Sequence, residues 1–185
     1  MVAACRDRKR HQERGVTMVE VAILMSLFFA IMLGVIELSR IMFLWNTLAN
    51  VTRRAAVTVA VSAPAADHSA ALTAVAFGGV PLTDPVIDGS YFTVDYLNRD
   101  NEAVPAPASA GDNLRNCAQD PEGLTQCVRF VRVRLCQPGG EGDCERVPFE
   151  PLFPLGGVTG IEIRFPTFET IVPAGALGYR PGTAN

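Results

Sequence analysis

The sequence predicts an α+β protein: one long N-terminal helix, transmembrane in its first half and amphipathic in its second, packed on a small antiparallel β ectodomain. Three observations carry this. Residues 21–36 are apolar and uncharged apart from one Ser. Residues 38–61 continue with apolar positions at i, i+3, i+4 spacing, the period of a helix face. Beyond Pro64, short segments alternate apolar and polar residues, the period of a strand. The chain has 185 residues, 49% hydrophobic and 19% charged, enough for one ordinary domain plus an appendage. The expected division is a basic leader at 1–15, the helix at 16–62, and an extracytoplasmic domain at 63–185 with a mobile loop at about 99–125.

The leader concentrates charge. Five of the 16 basic residues fall within the first 15 positions, and Arg6 to Arg14 carries a formal +3. Val21 to Ile36, sixteen residues, spans about 24 Å as a helix at 1.5 Å per residue. Apolar flanks at Val16–Val19 and Ile41–Trp45 extend it toward the ~30 Å of a hydrocarbon core. Basic residues ahead of the span place the N-terminus in the cytoplasm, and Trp45 falls where interfacial Trp is favoured. A cleaved secretory signal fits poorly. Glu37-Leu38-Ser39-Arg40 follows the apolar run, and the nearest small-residue site, Val61-Ser62-Ala63, lies about 25 residues further on.

Two features of the span point to assembly. Glu20 sits at the start of the apolar helix, where an ionisable side chain is costly and marks a functional site by default. Ala22, Ser26, Ala30 and Gly34 fall four apart and form a small-residue stripe, which lets helix backbones approach closely in lipid. Leu24, Phe28, Ile31 and Ile36 occupy other faces, suited to lipid. Glu37 and Arg40 stand at i, i+3 and can pair on one face.

Gly15, four residues, Glu20 and an apolar run behind a basic leader resemble the processing site of type IV prepilins. That resemblance implies cleavage by prepilin peptidase after Gly15, with Val16 as the new N-terminus. It also implies that Glu20 acts as an intersubunit carboxylate, neutralising the α-amino group of a neighbouring subunit. In low dielectric such a pair is strong and each lone charge is costly. The wider run narrows the resemblance. Arg14-Gly15, Val19-Glu20, Gly34-Val35-Ile36-Glu37-Leu38-Ser39-Arg40, Asn46, Asn50 and Arg53-Arg54-Ala55-Ala56 resemble the TadE-like pseudopilin family of the Flp/Tad (tight adherence) pilus system. The family often carries Pro where this chain has Ser26, so no proline kink is expected. The family implies a pilin-like helix and a single-pass location in the inner membrane. Its expected partners are prepilin peptidase, other pilin-like subunits, inner-membrane pilus assembly proteins and the lipid bilayer. The alternative is an uncleaved single-pass anchor with an extracytoplasmic binding domain.

The second half of the helix places Leu38, Ile41, Met42, Trp45, Leu48, Ala49, Thr52, Ala55, Ala56 and Val59 at helical spacing, with Ser39, Asn46, Asn50, Arg53 and Arg54 largely elsewhere. This predicts one continuous helix from about Val16 to Val61, ended by Pro64. Asp67 or Ser69 can cap a short helix running to Phe77 and stopped by Gly78-Gly79. Strands are expected at 91–97, 126–136 and 157–165, with a short extended piece at 168–172. In the second of these, Val131, Val133 and Leu135 oppose Arg132 and Arg134. Residues 99–125, rich in Asn, Asp, Pro, Ala and Gly, read as a loop. The tail from Tyr179 reads as loose.

Of the five cysteines, Cys5 lies in the leader, while Cys117, Cys127, Cys136 and Cys144 all lie beyond the span. An even number in a loop-rich exported region favours disulfides. Cys127 and Cys136 flank a strand that would hold them ~30 Å apart at about 3.3 Å per residue, so a straight strand excludes that pair. Cys117–Cys127 with Cys136–Cys144 is the more local option, and crossed pairs remain. Gaps of nine, eight and seven residues do not fit zinc, and no metal site is expected.

No catalytic constellation is legible. His11 is in the leader and His68 reads as a lone, solvated loop residue. The runs Gly139-Gly140-Glu141-Gly142 and Gly156-Gly157 lack a strand–loop–helix phosphate context. Arg129, Arg132 and Arg134 read as a solvated strand face. The expectation is therefore no enzyme, no cofactor and, at a net charge of -3, no nucleic-acid partner.

Overall fold

Helix α1 runs from Ala3 to Val61. Its start lies well before the expected Val16, because the Arg-, Lys-, Glu- and Gln-rich leader consists of good helix formers and its backbone joins the helix. No proline occurs before Pro64, so nothing removes an internal hydrogen bond. At Ser26 the helix continues, with Oγ donating to the carbonyl of Ile23 at 2.9 Å. The structure, a computed structural model, describes residues 3–64, 68–78, 82–83, 86–139, 144–149, 151–152, 164–175 and 177–178. The chain divides into two units: Met1–Phe43 with Pro151–Gly157, and Leu44–Glu150 with Val158–Asn185.

The first unit is the apolar stretch of α1 with the short segment from Pro151. From Thr17 to Ile36 every residue is exposed except half-buried Leu33. The exposed set includes Met18, Leu24, Phe28, Phe29 and Ile31.

The second unit is an α+β domain. Its part of α1 buries Leu44, Leu48, Val51, Thr52, Ala55, Ala56, Val59 and Ala60, one stripe at helical spacing. The expected stripe is right at Leu48, Thr52, Ala55, Ala56 and Val59. It is wrong at Trp45, which is 46% exposed, and at Ala49, and it begins at Leu44 rather than Leu38. The cause is that residues 38–43 are apolar nearly all round, so periodicity there does not identify a covered face.

After Pro64 come α2 (Ser69–Phe77), β1 (Leu82–Thr83), β2 (Val86–Ile87), β3 (Phe92–Leu97), β4 (Ala103–Val104), α3 (Ala110–Gln119), β5 (Phe130–Leu135) and β6 (Glu169–Pro173). β1 and β2 pair with each other. The main sheet is antiparallel in the order β4-β3-β5-β6. β3 and β5 pair from Phe92 opposite Leu135 to Leu97 opposite Phe130. Phe92, Tyr96, Val131, Val133 and Leu135 are buried and share the core with the α1 stripe.

α2 ends as expected at Gly78, which takes the left-handed φ of 66° that glycine tolerates without penalty. Its N-cap is His68 rather than Ser69, and no side chain caps it; Asp67 and Gly79 lie outside the described residues. Gly89 is fixed by packing. A Cβ there would run into the carbonyl oxygen of Ser69 and come within 2.6 Å of Thr73 Oγ1, which already accepts the Gly89 N–H at 2.8 Å. The N–H of buried Leu177 reaches the Ala60 carbonyl at 3.3 Å, an orphan acceptor of the last turn of α1.

The expected loop at 99–125 is a correction. It contains β4 and the ten-residue helix α3. Ser109 caps α3: its Oγ accepts from Asp112 N at 3.1 Å and donates to Asp112 Oδ2 at 2.8 Å. β5 is also shorter than the expected 126–136. The Asn113 side chain of α3 accepts the Val128 N–H at 2.9 Å and donates to the Val128 carbonyl at 3.3 Å, so this stretch bonds to a helix side chain rather than to a ladder. β6 occupies nearly the expected extended piece. Of the expected strand at 157–165, residues 157–163 lie outside the described residues; Arg164 forms an isolated bridge with Pro148. The tail from Tyr179 also lies outside them.

Two disulfides join Cys117 to Cys127 and Cys136 to Cys144. The first ties α3 to the approach of β5. The second closes the excursion after β5, where Gln137 N–H also bonds the Glu145 carbonyl at 2.8 Å.

Candidate membrane-span and assembly segment

Gly15 and Val16 lie within the α1 backbone, directly before Thr17. Glu20 is exposed and makes no hydrogen bond or ion pair among the described residues. Nothing among the described residues neutralises a carboxylate in this position. In lipid it calls for a partner from outside or a place at the headgroups.

Ala22, Ser26, Ala30 and Gly34 are all exposed along one line of the helix, and a Cβ added at Gly34 would meet nothing within 4 Å. No described residue fills the groove they leave. Around them the helix is apolar on every side: Met18 is 78%, Ile23 62% and Phe29 59% exposed. One 18-residue window reaches a mean hydropathy of 2.5 with none of it buried, so α1 is long and apolar enough to cross a membrane. A helix apolar all round is the kind found inside a bilayer or a large core.

The first charges beyond the apolar run are paired. Arg40 Nη1 lies 3.3 Å from Glu37 Oε1, with the two side chains only 15% and 16% exposed. The Leu152 backbone N–H donates to the same Oε1 at 3.3 Å. The i, i+3 pair expected from spacing is therefore formed, and it makes this point of the helix electrically neutral. Glu37 Oε2 is buried and finds no hydrogen-bond partner among the described residues.

In the second unit, the arginines of β5 do not form a bare solvated face. Arg132 Nη2 and Arg134 Nη2 each lie 3.0 Å from Asp95 Oδ2 on β3, and all three side chains are more than three-quarters buried. The register puts Asp95 opposite Arg132, so a single carboxylate bridges two successive guanidinium groups on one side of the sheet. Sequence reading missed Asp95, because its role depends on a non-local strand pairing. His68 is likewise not a lone loop residue: its Nε2 lies 3.3 Å from the Tyr96 hydroxyl, which donates to the Pro64 carbonyl at 3.2 Å. Burial raises the Tyr96 pKa, keeping that hydroxyl protonated as a donor.

A groove of about 630 Å³ lies beside α3, lined by Arg99, Glu122, Arg129 and Phe130 among others. The Cys117 that borders it is held in a disulfide. Among the described residues no group of three His, Cys, Asp or Glu side chains is placed to hold a metal.

No curated protein and no solved structure matches the chain. A family model does match, over the stretch that carries Gly15, Glu20, the small-residue stripe and the Glu37–Arg40 pair. Through residues 15–57 this chain is similar to the family described as TadE-like protein.

Proposed function

We propose that the chain is a TadE-like minor pilin or pseudopilin, cut by prepilin peptidase between Gly15 and Val16 and taking part in assembly of a Flp/Tad-type pilus or a related secretion apparatus. The observation that carries this reading is Glu20: an exposed carboxylate without a partner among the described residues, at the head of an exposed apolar helix and inside the segment similar to TadE-like proteins. After cleavage the α-amino group of Val16 in one subunit and Glu20 of its neighbour form a neutral pair as the helices stack. The stripe at Ala22, Ser26, Ala30 and Gly34 gives the close approach that stacking requires. Gly15 suits the scissile position because glycine costs a helix roughly 1 kcal/mol relative to alanine, which makes local opening easiest there. Partners on this reading are the peptidase, other pilin-like subunits and inner-membrane assembly proteins, with the N-terminus cytoplasmic and the outer domain extracytoplasmic.

The reading of an uncleaved single-pass anchor draws on one observation, the helical backbone that α1 keeps through Gly15 and Val16. Glu20→Gln separates the two. In the pseudopilin it leaves leader removal intact but abolishes co-purification with the assembly machinery. Unchanged co-purification removes the intersubunit role of Glu20.

A further inference from the structure

A segment far along the chain shares the unit of the apolar helix. Residues 151–157 belong with Met1–Phe43, and their sequence, Pro-Leu-Phe-Pro-Leu-Gly-Gly, contains no charge and no side chain that hydrogen-bonds. Pro151 and Leu152 are exposed, Leu152 to 52%. Leu152 is fixed at one level of the helix by its N–H on Glu37 Oε1 at 3.3 Å.

That level is informative. Glu37 follows Glu20 by seventeen positions, about 26 Å along a helix, close to the ~30 Å of a hydrocarbon core. Glu37 therefore marks the end of the span away from Glu20, where hydrocarbon gives way to headgroups. The helix surface stays apolar through this level: Ile36, Leu38, Met42 and Phe43 are 48%, 55%, 57% and 68% exposed. Leu152 continues that apolar belt rather than interrupting it.

The backbone chemistry also fits. Irregular chain at membrane depth is tolerated only when its N–H groups are satisfied, since each orphan costs several kcal/mol in lipid. Pro151 has no N–H to satisfy, and the Leu152 N–H is taken by Glu37. The Glu37 charge is itself balanced by Arg40.

We propose that Pro151 and Leu152 form a membrane-contacting foot, seated in the lipid interface at the Glu37 end of the span, with Glu37 as the clamp that holds the foot on the helix. The proposal rests on α1 crossing a bilayer, and the test separates the two. Trp45 is the sole tryptophan, so Trp45→Phe leaves a silent background for the full chain in phosphatidylcholine–phosphatidylglycerol vesicles. Into it go Leu152→Trp and, separately, Phe28→Trp as a reporter of the span. With lipid brominated near the headgroup end of its acyl chains, Leu152→Trp loses emission and resists quenching by acrylamide. Adding Glu37→Ala to Leu152→Trp weakens the lipid quenching, while Phe28→Trp with Glu37→Ala remains quenched by lipid brominated deeper in the chain. If Phe28→Trp is quenched by that deeper lipid but Leu152→Trp responds only to acrylamide, the span stands and the foot is overturned. If Leu152→Trp is shielded from both quenchers, protein covers the segment and the foot is again overturned. If no brominated lipid quenches Phe28→Trp, the span itself falls, and the foot with it.

Discussion

The two stretches of α1 on either side of position 44 are made of similar residues and meet different fates. From Met18 to Phe43 the large apolar side chains are exposed apart from half-buried Leu33 and Ile41, and the small residues leave a groove that no described residue fills. From Leu44 to Ala60 one stripe is buried almost completely, while Asn46, Asn50, Arg53 and Arg54 face outward. Only the second stretch has the alternation that gives a helix two kinds of face. The first is apolar all round, and among the described residues little covers it; a surface of that kind suits lipid or neighbouring helices. One helix thus has a half that stabilises a domain and a half whose surface remains available for association.

This contrast predicts unequal responses to the same substitution. Leu48→Ala removes a side chain with 0% exposure and lowers the stability of the outer domain by about 3 kcal/mol, the usual cost of a buried leucine truncation. Leu27→Ala, at a position 57% exposed, changes the same unfolding transition by less than about 0.5 kcal/mol. Denaturant unfolding in detergent, followed by near-ultraviolet circular dichroism, measures both. Equal effects would erase the distinction between the halves.

A somewhat smaller effect is expected from the disulfide that joins α3 to the approach of β5. Replacing Cys117 and Cys127 together by Ala releases a loop with a sequence separation of 10 and costs about 2–3 kcal/mol. The loss is confined to the outer domain: its midpoint in denaturant falls, while the helicity of α1 in detergent persists. Concerted loss of both would mean that the apolar half also depends on the domain.

The smallest expected effect is acid sensitivity at the end of α3. Asp120 is held below the usual carboxylate range, chiefly by the Thr125 backbone N–H and then by the Thr125 hydroxyl, with further N–H groups from Gly123 and Leu124. Its folded pKa lies below its unfolded value. The turn therefore contributes its stability in full above the unfolded pKa, and loses it as pH falls through the lower folded pKa. A titration of the Thr125 amide by NMR should show a midpoint below that of an ordinary aspartate; a midpoint at or above it contradicts the assignment.

How much of this could be read from residues alone follows from the range of the interactions. The span, the helical stripe at Leu48, Thr52, Ala55, Ala56 and Val59, and the alternation of β5 are local patterns, and local patterns are visible in sequence. Among the remaining cysteine pairings, the one found is the more local. Helix α3 was hidden by its polar composition, although Ser109 and Asp112 stand at the i, i+3 spacing of a capping box. Asp95 could not be read, because its two arginines lie 37 and 39 positions away and only the strand register brings them together. The Leu152–Glu37 contact, across 115 positions, is of the same kind.

The central claim is that the exposed half of α1 is an assembly surface that becomes active when the leader is removed. Intact mass spectrometry of the membrane-extracted chain tests it most directly. The account predicts a species beginning at Val16, shorter by 15 residues, with formal charge changed from -3 to -6 by loss of the +3 leader. A membrane form that retains residues 1–15 at full length would contradict it.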